Sequence, residues 1–267
     1  MNTIMTEEPE IREESELAVE PLLRVETPVV EIKGLCKSFA NRAVLKGVNL
    51  TVDKGENVVV LGKSGSGKSV LIKCVVGLMD PDQGEIQVFG NDISTLGYKK
   101  LNEIRMRVGF LFQSAALYDS MTVRENLYFP LKQHDRRLSP EDAEKSIEEI
   151  LENVGLSEAI DKMPSELSGG MSKRIGLART MILKPDIMLY DEPTTGLDTV
   201  TAREISELIV CMQKKNKISS IIITHDLACA KITADRIVML KDGVIGAEGT
   251  YKELSDSDDA WVKSFFR

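Results

Sequence analysis

The sequence predicts an α/β fold with a mainly parallel core sheet, an antiparallel β lobe and a helical insert subdomain. Three observations lead to this prediction. A strand, a glycine-rich loop and a helix follow one another from Asn57, which is how a parallel α/β unit begins. Residues from about 114 to 180 have helical patterns and no strand pattern of comparable strength. Strand patterns then return on either side of an amphipathic helix, as a parallel sheet with a crossover connection requires.

The first 28 residues are strongly acidic. They contain eight glutamates and two arginines, with prolines at positions 9, 21 and 28 and little periodicity. This composition is typical of a disordered, solvated tail. Most of the net charge of −8 comes from this segment. The remainder is close to neutral and shows no basic surface that would indicate a nucleic-acid partner.

Three strand patterns open the folded part, which we place at residues 29–255. Val29–Ile32 and Val48–Val52 are the first two, and the second ends at the turn Asp53–Glu56. Asn57–Leu61 is a short apolar run, typical of a strand that is buried on both faces.

The helical insert, residues 114–180, contains a strong helix start. Ser139 is a capping residue, Pro140 occupies the first helical position, and two acids follow in the first turn. Apolar residues recur on one helical face as far as Val154, and Gly155 ends the helix.

The last third of the folded part predicts more of the parallel sheet. Ile187–Leu189 and Ser220–Thr224 are predicted strands, and Ile205–Met212 is the apolar face of the helix between them. Arg236–Leu240 and Val244–Ala247 flank an Asp-Gly turn, which indicates a β-hairpin.

A phosphate-binding loop lies between the predicted strand at Asn57–Leu61 and the following helix. The sequence GKSGSGKS matches the full pattern G-x-x-x-x-G-K-[ST]. Its glycines let successive backbone N–H groups point at phosphate oxygens, and the helix N-terminus adds partial positive charge. Lys68 is expected to reach the β- and γ-phosphates of ATP, and the Ser69 hydroxyl to bind Mg²⁺. The predicted nucleotide contacts are Gly62, Lys63, Ser64, Gly65, Ser66, Gly67, Lys68 and Ser69.

Two acidic residues follow the predicted strand at Ile187. Carboxylates at the carboxyl end of a parallel strand face the crevice where ligands bind. Asp191 is therefore a candidate Mg²⁺ ligand, directly or through water. Glu192 is the candidate general base that polarises the attacking water. Together with the phosphate loop, this pair predicts ATP hydrolysis.

A second anion-binding helix start lies at Leu167–Met171, far along the chain from the phosphate loop. Its serine hydroxyl and glycine amides suit a phosphate, and we expect a helix over Ser172–Leu183. The chain therefore contains two separate candidate phosphate-binding segments, and the presence of the second needs an explanation.

These motifs resemble, in order and spacing, the nucleotide-binding subunits of ABC transporters, which are P-loop NTPases, over roughly Val29–Ser255. The residues that carry the resemblance are Gly62–Ser69, Gln113, Leu167–Met171, Asp191–Glu192, Gly196–Asp198 and His225. The resemblance implies an ATPase that converts ATP and water to ADP and phosphate and drives transport. It also implies two copies packed head to tail.

The resemblance assigns further roles to individual residues. The γ-phosphate held by one copy is covered by the other copy's Leu167, Ser168, Gly169, Gly170 and Met171. Gln113 contacts Mg²⁺ and the attacking water, and it senses the membrane subunits through the helical insert. His225 contacts the γ-phosphate and Asp198 links the two sites across the dimer. Phe39 stacks on adenine.

The subfamily is indicated by departures from the usual pattern. Met171 stands where such subunits usually have glutamine, and together with Leu111–Val123 and Glu125–Leu131 it looks like the ATPases of Mla-type phospholipid transporters. That resemblance implies transport between inner and outer membranes, a permease partner and a lipid-binding protein with a mammalian-cell-entry domain. Lipoprotein release, solute import and efflux stay open as alternative transport functions.

Non-transport functions fit the sequence less well. Ribosome-binding ABC ATPases normally carry two such domains in one chain, and DNA-repair members need a long coiled coil that the segment between Ser69 and Leu167 is too short to form. A P-loop kinase has no use for Leu167–Met171. No apolar run approaches the length of a membrane span, and the acidic N-terminus does not resemble a signal peptide. We therefore expect a peripheral subunit on the cytoplasmic face of the inner membrane.

Residues 256–267 form a short C-terminal segment with three aromatic residues. Trp261, Phe265 and Phe266 are spaced as on one helical face after an acidic start. The segment is too small to fold alone. It either docks on a neighbouring subunit or packs back on its own domain.

Overall fold

The computed structural model describes residues 27–266, so all but the last two residues of the predicted acidic tail lie outside it. The strands are β1 (Val30–Phe39), β2 (Arg42–Val52), β3 (Asn57–Leu61), β4 (Gln83–Val88), β5 (Asn91–Asp92), β6 (Val108–Leu111), β7 (Ile187–Asp191), β8 (Ser219–Thr224), β9 (Arg236–Lys241) and β10 (Val244–Gly249). The helices are α1 (Lys68–Val75), α2 (Tyr98–Arg105), α3 (Val123–His134), α4 (Pro140–Asn153), α5 (Gly169–Met181), α6 (Thr199–Asn216), α7 (Leu227–Thr233), α8 (Tyr251–Ser255) and α9 (Ala260–Lys263).

The larger sheet is mainly parallel, as predicted, and it positions the functional residues. Its strand order is β10-β9-β3-β8-β7-β6, and only β10 runs antiparallel to its neighbour. Every residue of β3 and of β7 is buried, because both faces of the sheet are covered. The register pairs Leu61 with Thr224 and Leu111 with Tyr190. The carboxyl ends of β3, β6, β7 and β8 therefore meet at one edge.

The smaller sheet is antiparallel, with the order β2-β1-β4-β5. Its strands β1 and β2 are much longer than the predicted segments Val29–Ile32 and Val48–Val52. Register shifts interrupt their pairing between Ile32 and Leu35 and again further along. Such bulges disturb the alternation of inward and outward residues. The full strands therefore show no continuous period of two.

The helical insert contains no strand between Leu111 and Ile187, where every residue is described, which confirms the prediction. Ser139 caps α4 as expected, and its hydroxyl accepts a hydrogen bond from the Asp142 amide at 3.1 Å. The predicted helix start at Ser172 is wrong by three residues. Ser168 caps α5, which therefore begins at Gly169 within the anion-binding segment itself.

The C-terminal segment packs on its own domain, the second of the two alternatives. The Trp261 ring lies against Gly246 of β10, where an added methyl group would be only 2.9 Å from the ring. Val262 is 2% exposed, and Phe265 meets Trp261 edge to face at 5.4 Å between ring centroids. None of the helices in residues 27–266 has both the length and the apolar character that crossing a bilayer requires.

Candidate functional site

A cavity of about 670 Å³ lies at the edge where the carboxyl ends of the parallel strands meet. Of the residues predicted from the sequence, it brings together Gly62–Gly65, Gly67–Ser69, Gln113, Glu192 and His225. Its size falls within the range of roughly 300–1,000 Å³ that is typical of small-molecule sites. The loops after β3, β6, β7 and β8 thus converge on one place.

The phosphate loop has the backbone that the pattern predicts. Gly67 precedes α1 with a φ of 108°, and a Cβ there would lie 2.8 Å from a methyl group of Leu45. Only glycine fits this position without strain. Lys68 is then the first residue of α1, and its ammonium donates to the main-chain oxygens of Gly62 at 2.8 Å and Lys63 at 3.3 Å. The loop closes around the lysine, which is only 6% exposed.

Two candidate oxygen ligands for a metal lie side by side, Ser69 near the start of α1 and Asp191 at the end of β7. The Ser69 hydroxyl donates to a carboxylate oxygen of Asp191 at 2.8 Å. Asp191 ends the buried strand β7 and is itself 8% exposed. A hydroxyl and a carboxylate are hard oxygen donors, which suit Mg²⁺. This pair therefore fits the predicted metal site.

Glu192 stands at the centre of the polar wall. Its backbone has a φ of 52°, an uncommon left-handed conformation for a residue other than glycine. The side chain turns inward and is 13% exposed. Its carboxylate lies 2.7 Å from Nδ1 of His225 and 3.4 Å from the Lys68 ammonium. Thr195 donates to it at 3.2 Å. A carboxylate held at this point is well placed to accept a proton from water.

Lys173, on α5, is a buried lysine that the sequence analysis did not identify. Its ammonium donates to the main-chain oxygen of Gln113 at 2.5 Å and lies 3.4 Å from that of Glu192. Burial lowers the pKa of Lys173, and the Asp191 and Glu192 carboxylates oppose this effect. The contacts of Lys173 could not be predicted from the sequence, because a lysine within a helix is ordinary and its partners lie far away along the chain.

The segment Leu167–Met171 lies outside the cavity of its own chain. None of its five residues lines the cavity wall formed by residues 27–266, and Ser168 is exposed at the N-terminus of α5. Its hydroxyl accepts a hydrogen bond from the Met171 amide at 3.2 Å. Asp198 is also exposed and caps α6 through the amides of Val200 and Thr201.

The apolar part of the cavity differs from the prediction. Phe39, expected to stack on adenine, is 45% exposed and does not line the cavity. Val44, two residues beyond the partner of Phe39 in the β1–β2 pairing, does line it. Ser264 and Phe265 complete the wall. This placement could not be predicted from the sequence, because it depends on where the C-terminal segment packs.

Comparison with known proteins agrees with this arrangement. The chain matches a family model described as ABC transporter over residues 45–195. It is 38% identical to the intermembrane phospholipid transport system ATP-binding protein MlaF of Haemophilus influenzae, over 90% of each chain. It is 39% identical to the probable ribonucleotide transport ATP-binding protein mkl of Mycobacterium leprae, over 88% of this chain and 68% of the relative. It is 37% identical to the methionine import ATP-binding protein MetN of Brucella abortus, over 83% of this chain and 60% of the relative.

Solved structures share the fold as well. The ATP-binding cassette MJ0796, described as a dimer in a post-hydrolysis state bound to ADP and phosphate, superposes with a TM-score of 0.76. It is 32% identical, over 83% of this chain and 98% of the cassette. The cbiO1 subunit of Clostridium perfringens, from the cbiONQ transporter complex, superposes with a TM-score of 0.79 at 28% identity. That match covers 90% of this chain and 95% of the subunit.

Proposed function

This chain belongs to the ABC transporter family and is an ATPase, and on that premise we propose that it drives phospholipid transport between the inner and outer membranes. The observation that carries the proposal is the similarity to MlaF, which is named for intermembrane phospholipid transport and aligns over 90% of both chains. The relatives named for ribonucleotide transport and methionine import align over 68% and 60% of their own lengths. Transport of a soluble small molecule is therefore the second candidate.

The lining of the cavity supports one orientation of ATP in this proposal. The phosphates lie along the loop Gly62–Ser69, where the backbone N–H groups and the Lys68 ammonium stabilise their negative charge. The γ-phosphate faces Glu192 and His225, because hydrolysis needs the base beside it. The ribose and adenine then extend to the opposite side of β3, towards the β9–β10 hairpin.

Mg²⁺ binds at Ser69 and Asp191 in this proposal, with Gln113 on the same wall of the cavity. The ion supplies charge neutralisation for the phosphate oxygens when ATP is bound. The serine and the aspartate are within hydrogen-bond distance of each other, so both oxygens would be available to the same ion.

Glu192 accepts a proton from the attacking water, whose oxygen bonds to the γ-phosphorus. The bond between that phosphorus and the oxygen that bridges it to the β-phosphate breaks, and ADP leaves. His225 holds the carboxylate through Nδ1 and contacts the γ-phosphate, and Gln113 orients the water. Lys68 stabilises the negative charge that develops on the phosphate oxygens. ADP and inorganic phosphate are the products.

Two copies of the chain complete each site. The segment Leu167–Met171 lies outside the cavity of its own chain, yet its capped helix start is suited to a phosphate. In a head-to-tail dimer it covers the γ-phosphate held by the partner, and Asp198, which is exposed nearby at the start of α6, links the two sites. The similar cassette MJ0796 is described as a dimer with ADP and phosphate bound, which supports this arrangement.

A second groove, of about 430 Å³, is the proposed contact for the membrane permease. Met106, Tyr118 and Phe129 line it and are between 37% and 43% exposed, so three large apolar side chains are partly exposed in one groove. Tyr118 lies five residues after Gln113, so a partner in the groove would act on the catalytic cavity through a short loop. In this proposal the chain lies on the cytoplasmic face of the inner membrane. A lipid-binding protein with a mammalian-cell-entry domain completes the proposed complex.

Phe265 forms the apolar wall beside the ribose and adenine, together with Val44. Trp261 holds Phe265 and packs on Gly246 of the hairpin, and Gly243 in the turn of the same hairpin contacts Val44. We expect Phe265→Ala to weaken ATP binding about tenfold, since stacking on a base is worth roughly 1–3 kcal/mol. Binding of inorganic tripolyphosphate, which lacks base and ribose, is expected to stay unchanged in the same titration.

Phe266→Ala is the matched control for Phe265→Ala. Phe266 packs edge to face on Tyr251 at 5.3 Å between ring centroids and does not line the cavity. This control variant is expected to bind both ligands like the wild type. An equal loss of ATP and tripolyphosphate binding in Phe265→Ala would contradict a contact with the base or ribose.

The transport proposal is tested by purifying the tagged chain from its own cells in mild detergent. We expect a membrane permease and bound phospholipid in the complex, identified by mass spectrometry. In reconstituted complexes, phospholipid is expected to stimulate ATP hydrolysis, whereas methionine and ribonucleotides are not. Stimulation by a soluble small molecule alone would contradict phospholipid transport. The variant Phe129→Glu is the control, because it should lose the permease while still binding ATP.

A further inference from the structure

Lys173 is buried in the helical insert at a point that the proposed mechanism does not use. The residue is 6% exposed, and its ammonium is directed at the main-chain oxygens of Gln113 and Glu192. Removing an ammonium group from water is costly unless hydrogen bonds compensate for it. The two main-chain oxygens supply this compensation, so the buried ammonium joins two catalytic segments through one side chain.

The segment that follows Gln113 is strained and is held by α5 at three points. Ala115 and Ala116 both have positive φ angles, of 60° and 51°, which non-glycine residues rarely adopt. Besides the hydrogen bond from Lys173, Arg179 donates to the main-chain oxygen of Ala116 at 2.6 Å. Gly176 packs so tightly on Ala115 that an added methyl group would lie 2.8 Å from its side chain. A movement of α5 must therefore move this segment.

The N-terminus of α5 carries the proposed phosphate-binding segment Leu167–Met171. Ser168 caps α5, and Lys173 follows five residues later, roughly 7–8 Å along the axis at 1.5 Å per residue. Buried residues beyond Lys173, including Ile175, Leu177 and Ala178, fix α5 in the core as a rigid element. One end of α5 thus lies at the surface that faces a partner, while its middle contacts the chain's own cavity.

We propose that Lys173 is a positioning residue that transmits engagement of Leu167–Met171 by the partner's nucleotide to Gln113 and Glu192 of its own chain. This proposal rests on the head-to-tail dimer proposed above. When the N-terminus of α5 binds the γ-phosphate held by the partner, α5 is fixed. The Lys173 ammonium then fixes the main chain of both catalytic residues. Each site is fully aligned for hydrolysis only when the other site holds ATP, which is a coupling free energy between the two sites.

The test is the ATP dependence of hydrolysis by Lys173→Met, which keeps the apolar stem and removes the ammonium. We expect kcat to fall about 10- to 100-fold, because the catalytic geometry is loosened. The dissociation constant for ATP in the absence of turnover is expected to stay within about twofold of the wild type. The Hill coefficient of hydrolysis, expected above 1 in the wild type, is expected to fall to 1. Lys173→Arg, which retains donors to both oxygens, is expected to restore cooperativity.

Arg174→Met is the matched control, since Arg174 is the next residue of α5 and contacts Val154 and Glu204 instead. It also loses a long cationic side chain, and it is expected to keep the wild-type kcat and Hill coefficient. A cooperative Lys173→Met enzyme, or one with unchanged kcat, would overturn the proposal. Should Lys173→Met fail to unfold in a single thermal transition, Lys173→Leu, which also replaces the ammonium by an apolar side chain, is measured by the same criteria.

The proposal and the dimer on which it rests fail in different ways. Ser168→Arg tests the dimer, because Ser168 lies at the proposed contact with the partner's nucleotide and its hydroxyl accepts a hydrogen bond from the Met171 amide of its own helix. If Ser168→Arg keeps full turnover, the head-to-tail dimer is wrong. If Ser168→Arg abolishes turnover but Lys173→Met retains cooperativity, only the role of Lys173 is wrong.

Discussion

Glu192→Gln is expected to bind ATP and to lower kcat by about 10²- to 10⁴-fold, the range that general-base catalysis contributes. The amide keeps the size and shape of the side chain but cannot accept a proton from water. It also removes the negative charge that lies 3.4 Å from Lys68 and would face the γ-phosphate. ATP is therefore expected to bind at least as tightly as to the wild type.

The consequence for assembly is equally specific. Because the γ-phosphate persists, two Glu192→Gln chains are expected to accumulate as a closed dimer in the presence of ATP, measured by size-exclusion chromatography with light scattering. Glu207→Gln is the matched control, since Glu207 lies on the exposed face of α6 and pairs with Arg203. It is expected to hydrolyse ATP normally and to show no ATP-dependent dimer beyond that of the wild type. Near-normal turnover of Glu192→Gln would remove Glu192 from the role of base.

Ser168→Arg is expected to abolish turnover while ATP binding to the phosphate loop stays nearly intact. Ser168 lies outside the cavity of its own chain, so the substitution leaves the residues that hold ATP in that chain unchanged. The long arginine side chain would obstruct the N-terminal amides of α5, which must approach the γ-phosphate of the partner. The measurements are ATP binding by titration and phosphate release under saturating ATP.

Loss of a helix cap must be separated from loss of the contact between two copies. Replacing a capping serine costs about 1 kcal/mol of stability. Ser139→Arg is the matched control, because Ser139 caps α4 in the same way, with its hydroxyl accepting from the Asp142 amide. It is expected to lower the melting temperature about as much as Ser168→Arg and to leave turnover intact. A parallel loss of ATP binding and turnover in Ser168→Arg would contradict the contact across the dimer.

The parts of the fold and site that could be predicted from the sequence are those with strong local signals. The phosphate loop, the start of α4 and the hairpin turn each require particular residue types at fixed spacing. In the hairpin, Asp242 and Gly243 have φ angles of 49° and 85°, as the favoured two-residue turn requires. These elements lie in the structure at the positions that were predicted from the sequence.

The parts that could not be predicted depend on contacts between distant segments. The length of β1 and β2 is set by bulged pairing, which hides the alternating pattern. Trp261 packs in the space beside Gly246, and Phe265, which packs edge to face on Trp261, lines the cavity. Lys173 contacts Gln113 across a separation of 60 residues. None of these contacts produces a periodicity or a motif.

The central claim is that each ATP is held by residues from two copies of the chain. It is tested most directly by mixing two inactive variants, Lys68→Ala and Ser168→Arg, and measuring ATP hydrolysis. In a mixed dimer, one site combines the intact Lys68 of one chain with the intact Ser168 of the other. We therefore predict that the mixture regains hydrolysis although each variant alone is inactive. The regained rate is expected to lie about 10- to 100-fold below the wild type, because the second site of the mixed dimer holds no ATP and the alignment through Lys173 is lost. A mixture as inactive as its components, with mixed dimers demonstrated in solution, would contradict the claim.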